Sequence, residues 1–92
     1  MTSVPHLLLD TLEGLDSTKL KKFKWHLKND GIASVADVEK ADATDTVELM
    51  VARRGQEGAV KITLDILRKM EENHLAEQLQ DKHKASVSQT SS

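Results

Sequence analysis

Asp16-Ser17-Thr18-Lys19-Leu20-Lys21-Lys22-Phe23-Lys24-Trp25-His26-Leu27-Lys28-Asn29-Asp30-Gly31 is the stretch on which the fold turns. It opens on a helix-capping residue type and carries Leu20, Phe23 and Leu27 at helical spacings of three and four. It closes on Asn-Asp-Gly, a stop signal. The pattern predicts an amphipathic helix from Asp16 to about Asn29 with a single apolar stripe. Its polar side is strongly basic: Lys19, Lys21, Lys22, Lys24 and Lys28 stand there with no acid among them. Trp25 lies about 170° from the centre of the apolar stripe at a helical 100° per residue. Two readings of it follow: the chain after the helix folds back over it, or it is a surface aromatic among lysines, the composition of an interface anchor.

Working outward, the same periodicity recurs on both sides. Val4, Leu8, Leu12 and Leu15 predict a first helix from Val4 to Gly14, with Pro5 tolerated in its first turn because amides there lack intrahelical partners. After Gly31, the stretch Ile32 to Ala41 is only weakly periodic. It is expected to be a loop with a short or frayed third helix, capped by Ser34 and carrying Val35 and Val38. Asp42 is expected to cap a fourth helix with Asp45 at its third position, Val47, Met50 and Val51 inward, and Arg53-Arg54-Gly55 at its end. A fifth helix, about Gln56 to Met70, has Val60, Ile62, Thr63, Leu64, Ile66, Leu67 and Met70 around most of its circumference, which suits the central rod of a bundle. Gly55 and Gly58 read as breaks between helices. Asn73 is expected to cap a sixth helix burying Leu75, Ala76 and Leu79. Strand and hairpin signals are weak and there are no internal repeats. Residues 1–82 therefore predict one all-α domain of six short helices, and residues 83–92 a disordered tail or the start of a linker, which suits a piece of a longer protein.

Composition narrows the function classes. Ninety-two residues suffice for one domain, and with 38% hydrophobic residues its core is thin and, apart from Phe23 and Trp25, aliphatic. The sequence has no cysteine, which removes disulfide, thiol and Cys-ligated metal chemistry. His6, His26, His74 and His83 lie on different elements without zinc-ligand spacing. No serine has the setting of a hydrolase nucleophile, and the glycines form no phosphate loop. No catalytic, cofactor or metal site is expected, and the chain reads as a non-enzyme. Without an apolar run of membrane-spanning length or a secretory leader at Met1 to Pro5, a cytoplasmic location is the default expectation.

The charge pattern is more informative than the net charge of −2. The basic block of Lys19 to Lys28 is set against Asp10, Glu13 and Asp16 before it and Asp37, Glu39, Asp42, Asp45 and Glu48 after it, with Lys40 the one cation among the latter. A protein with separated blocks of opposite sign attracts copies of itself or relatives built alike. A nucleic-acid-binding helical domain using the Lys19–Lys28 helix is the rival reading, with lysines on phosphates and Trp25 stacked on a base. The absence of arginine from that helix and the acidic balance of the chain weigh against it.

Leu8-Leu9-Asp10-Thr11-Leu12-Glu13-Gly14-Leu15, the Leu20-Lys21-Lys22-Phe23-Lys24-Trp25 block, Ile66-Leu67-Arg68-Lys69-Met70 and Leu75-Ala76-Glu77-Gln78-Leu79 together resemble a pyrin domain of the death-fold superfamily over about residues 4 to 82. With Val4-Pro5 and Phe23-Lys24-Trp25-His26-Leu27, the sequence is similar to the N-terminal pyrin domains of fish inflammasome sensors of the nucleotide-binding, leucine-rich-repeat class. The resemblance implies a six-helix Greek-key bundle. It also implies homotypic binding to other pyrin domains and to itself, recruitment of an adaptor built from pyrin and caspase-recruitment domains, and filamentous inflammasome assembly leading to caspase activation and inflammatory cell death. The adaptor itself and a pyrin-only regulator share these features. By the same resemblance Asp10, Glu13, Asp45 and Glu48 form an acidic interaction face. Lys21, Lys22 and Lys24 match the basic face of helices 2 and 3, which here would also include Trp25, Lys28 and Lys40. Two departures stand out. Lys19 replaces an acid usual at the third position of helix 2, so that end is expected to lack a capping box and fray. The Ile32–Ala41 stretch also lacks a Pro-Arg element.

Overall fold

The computed structural model describes residues 3–87. Among them every element is helical: α1 (Val4–Glu13), α2 (Ser17–Asn29), α3 (Val35–Lys40), α4 (Ala43–Lys69) and α5 (Asn73–Val87). Four of the starts are set by short polar side chains. Ser3 accepts from the His6 amide, Asp16 from Lys19, Ser34 from Asp37 and Asp42 from Asp45, the two aspartates at 2.8 Å. The three caps expected at Asp16, Ser34 and Asp42 are thus in place. The one expected at Asn73 is not. Asn73 is the first helical residue, and the carbonyl of Glu72 before it takes the Ala76 amide.

The expected fourth and fifth helices meet without a loop. α4 runs as one element except at Gly55, whose φ of 76° and ψ of 173° break it into two arms, 43–54 and 56–69. That backbone region is open in practice only to glycine, so one residue turns the axis. Counting the arms, the bundle has six rods. Gly58, expected as a second break, is helical instead. A Cβ there would stand 2.8 Å from the Arg54 Cβ, so the bare backbone admits the arginine stem across the corner.

The core lies where the stripes predict. Leu7, Leu8 and Leu12 of α1, Phe23 and Leu27 of α2, Val47 and Met50 of the first arm, Val60, Ile66 and Leu67 of the second, and Ala76 and Leu79 of α5 form one buried cluster. The second arm is its centre, as its broad apolar surface implies: Val60, Thr63, Ile66 and Leu67 are all buried, and α4 packs on α1, α2 and α5. Thr63 sits there without penalty because its hydroxyl donates to the Ala59 carbonyl at 2.8 Å, and it also contacts Met50 Sδ at 3.6 Å across the break. α3 is short but formed. Val38 is its buried residue, flanked by buried Ile32 and Ala41, while Val35 points to solvent.

The start of α2 is held despite the missing capping box. The Asp16 cap is intact, and Lys19 Nζ reaches Glu72 Oε1 at 2.7 Å, tying α2 to the corner before α5. The lysine that removed the expected capping box is held by a carboxylate brought from 53 residues away in the chain. α5 also continues beyond Lys82, the expected end of the domain, as far as Val87. The remaining stretch of the expected tail, 88–92, lies outside the described residues.

Candidate protein-interaction surfaces

α1 and the first arm of α4 pack side by side and bury Leu8, Leu12, Val47 and Met50 between them and the core. Asp10 and Glu13 of α1 and Asp45 and Glu48 of α4 are all left exposed by that packing. Asp10 carries only a 3.8 Å contact from its own helix, to His6 Nε2. Glu48 lines a groove on each side of its arm: one against α1 with Leu9 and His6, the other against α3 with Asp37 and Lys40. The four expected acids therefore all stand on the exposed sides of adjacent helices.

The other surface is the solvent side of α2. With Phe23 and Leu27 buried, Lys21, Lys22 and Trp25 are exposed on the side of α2 away from the core, and Lys24 and Lys28 are half-buried on its flank. Lys22 sits nearer the end of the second arm of α4, where it lines a groove with Trp25, His26 and Met70. Trp25 is 56% exposed and meets the edge of His26 in a T-shaped contact with centroids 5.1 Å apart. The chain after α2 does not cover it. Lys21, Lys22 and Lys24 have no ion-pair partner among the described residues.

Two of the expected basic-face residues stand apart. Lys28 Nζ is 3.5 Å from Glu39 Oε1 of α3. Lys40 shares a groove with Asp37, Asp45 and Glu48, on the acidic side of the molecule. α3 is thus the seam between the surfaces, and the basic one is carried by α2. In the sequence Glu39 is only one acid of the block after α2 and Glu72 carries no signal at all. Neither has a local motif, since each meets its lysine only through the tertiary packing.

The histidines remain scattered: His74 pairs with Gln78 at 3.0 Å, His26 with Trp25, and His6 with Asp10. Among the described residues no group of three or more His, Asp or Glu is placed to hold a metal ion. No described helix is long and apolar enough to cross a membrane.

Residues 7–77 match the family model of the PAAD/DAPIN/Pyrin domain. The chain belongs to the pyrin-domain family. Human Pyrin is 32% identical to this pyrin domain over 90 residues, which are 91% of the chain and 11% of that protein. The solution structure of the pyrin domain of human Pyrin superposes with a TM-score of 0.76 at 32% identity, covering 94% of this chain and 99% of the other. This pyrin domain therefore has the death fold expected of it, and it is a homotypic protein-interaction module, not a catalytic fold. It spans about a tenth of the length of human Pyrin, so the likeness concerns that one domain.

Proposed function

We propose that this pyrin domain docks asymmetrically onto other pyrin domains, its own copies and an adaptor with pyrin and caspase-recruitment domains, and so nucleates a filamentous inflammasome in the cytoplasm. The observation that carries the proposal is the placement of two exposed patches of opposite sign on different helices. Asp10, Glu13, Asp45 and Glu48 stand on α1 and the first arm of α4, and Lys21, Lys22 and Trp25 on α2, with half-buried Lys24 beside them. Because the patches differ, a copy bound through one keeps the other free. A heterologous contact of this kind propagates into a helical array unless its rotation closes a ring. Caspase activation and inflammatory cell death follow from the recruited adaptor.

The reading places the domain at the N-terminus of a cytosolic receptor like the fish sensors its α2 sequence resembles. An adaptor or a pyrin-only regulator would dock by the same surfaces. A nucleotide-binding domain in the same polypeptide identifies a receptor, and a second death-fold domain identifies the adaptor.

Self-association followed by light scattering at low and high salt, beside binding to a random-sequence DNA duplex, tests the proposal. Scattering that appears at low salt and declines as salt screens the patches is the expected result. Tight, salt-sensitive binding to the duplex without self-association would replace it with the nucleic-acid reading.

A further inference from the structure

Lys28 and Glu39 form an unequal pair. The side chain of Lys28 is only 24% exposed, whereas that of Glu39, 3.5 Å away, is 62% exposed. The lysine is confined between α2 and α3, and the carboxylate stands out in solvent at the edge of the basic surface. Further along α3, Lys40 shares its groove with three carboxylates. Of the cations at the α3 end, Lys28 is paired with an acid of its own chain and Lys40 lies among acids, while Lys21, Lys22 and Lys24 have no ion-pair partner among the described residues.

Building on the docking proposed above, we infer that Glu39 is a specificity-determining residue that restrains self-docking. A second copy approaches α2 with Asp10, Glu13, Asp45 and Glu48, and Glu39 presents a like charge to that acidic face while cancelling the attraction of Lys28. Like charges set against each other across an interface disfavour the pairing. Glu39 thereby confines the footprint to the Lys21–Trp25 end of α2. It favours partners whose acidic face carries a neutral or basic side chain opposite α3 over a second copy of this chain. The pair is at the surface, so the effect is modest and dependent on salt.

The test is the critical concentration for assembly of the full chain, read by light scattering for the parent, E39Q, K28Q, K21Q and E39Q/K28Q, with circular dichroism as the folding control. E39Q is expected to lower the critical concentration about two- to fivefold at low salt, the range of a surface charge pair, and the gain is expected to shrink at high salt. K28Q should weaken assembly less in the parent than in the E39Q background, because Glu39 no longer neutralises the lysine there. If E39Q assembles only at the parent's concentration or above it, while K21Q weakens assembly, the inference falls and the docking surface stands. If K21Q also leaves assembly unchanged, the basic surface is not used and both fall.

Discussion

Trp25 is the large aromatic side chain exposed on the α2 surface. A 56% exposed tryptophan flanked by lysines has little to lose in the fold and much to gain at an interface. Trp25→Ala is therefore expected to weaken docking by about 2 kcal/mol or more, as truncated aromatic anchors do. Stability should change by no more than about 0.5 kcal/mol. As the sole tryptophan it reports on itself: its emission in the monomer should lie near that of free indole and shift blue on assembly. A blue maximum in the monomer would contradict the anchor role. Lys19 illustrates a second use of a surface charge. Its hydrogen bond to Glu72 and the attraction of that carboxylate raise its pKa above the ordinary lysine value of 10.5. A raised lysine pKa stabilises the fold fully below 10.5 and loses that contribution as pH climbs through the higher folded-state value. Thermal melts of the parent and Lys19→Met should accordingly differ by a constant amount from neutral pH to about pH 9, and converge only above pH 10.5.

Among the elements, α4 has the most demanding design. Its second arm is the hub of the core, and Leu67 there is fully buried. Leu67→Ala is expected to cost about 2–5 kcal/mol, enough to unfold much of a domain this small. A cooperative melt within a few degrees of the parent would show that the arm is not central. The break is equally specific. Gly55 has open space around it, so an added methyl group meets no neighbour, and any penalty comes from the backbone alone. At φ 76° and ψ 173° that penalty is about 1–3 kcal/mol for Gly55→Ala, readable by denaturant unfolding. Gly58→Ala should also destabilise, but through the 2.8 Å approach to the Arg54 Cβ, so Arg54→Gly, which removes that atom, should relieve the Gly58 variant and Arg54→Ala, which keeps it, should not.

For the whole molecule, the separation of charge between α1/α4 and α2 makes an asymmetric building block. Reversing one charge should disable one patch and spare the other. Lys21→Glu or Glu13→Lys alone is expected to abolish filaments with the helical circular dichroism signal unchanged, since losing a desolvated interfacial charge costs roughly 2–5 kcal/mol and reversal costs more. Mixed together, the two variants retain one intact complementary pair of patches: the acidic face of Lys21→Glu and the basic face of Glu13→Lys. Sedimentation of the mixture should show a heterodimer that does not grow. Filaments in either single variant would rule out this interface, and a symmetric homodimer would rule out the asymmetric geometry.

How much of this was legible beforehand depends on the range of the interactions. Helix positions, the caps at Asp16, Ser34 and Asp42, and the buried stripes were all readable, because they depend on residues three or four apart and on which side chains avoid water. So was the family, carried by blocks in a fixed order along the chain. Reading ran out wherever two distant segments had to meet. The direction of Val35, the exposure of Trp25, the hold of Glu72 on Lys19 and the pairing of Lys28 with Glu39 are set by how α3 and the α5 corner dock on α2. The absence of a loop at Gly55 was likewise hidden, since an Arg-Arg-Gly sequence ends a helix or bends it depending on what the next turn packs against. The sequence by itself determined the helices, the inward-facing residues and the sign of each charged block. The tertiary structure alone decided which charges are already matched within the chain and which remain to attract another molecule, because a charge is neutralised by proximity in space and not by proximity in sequence.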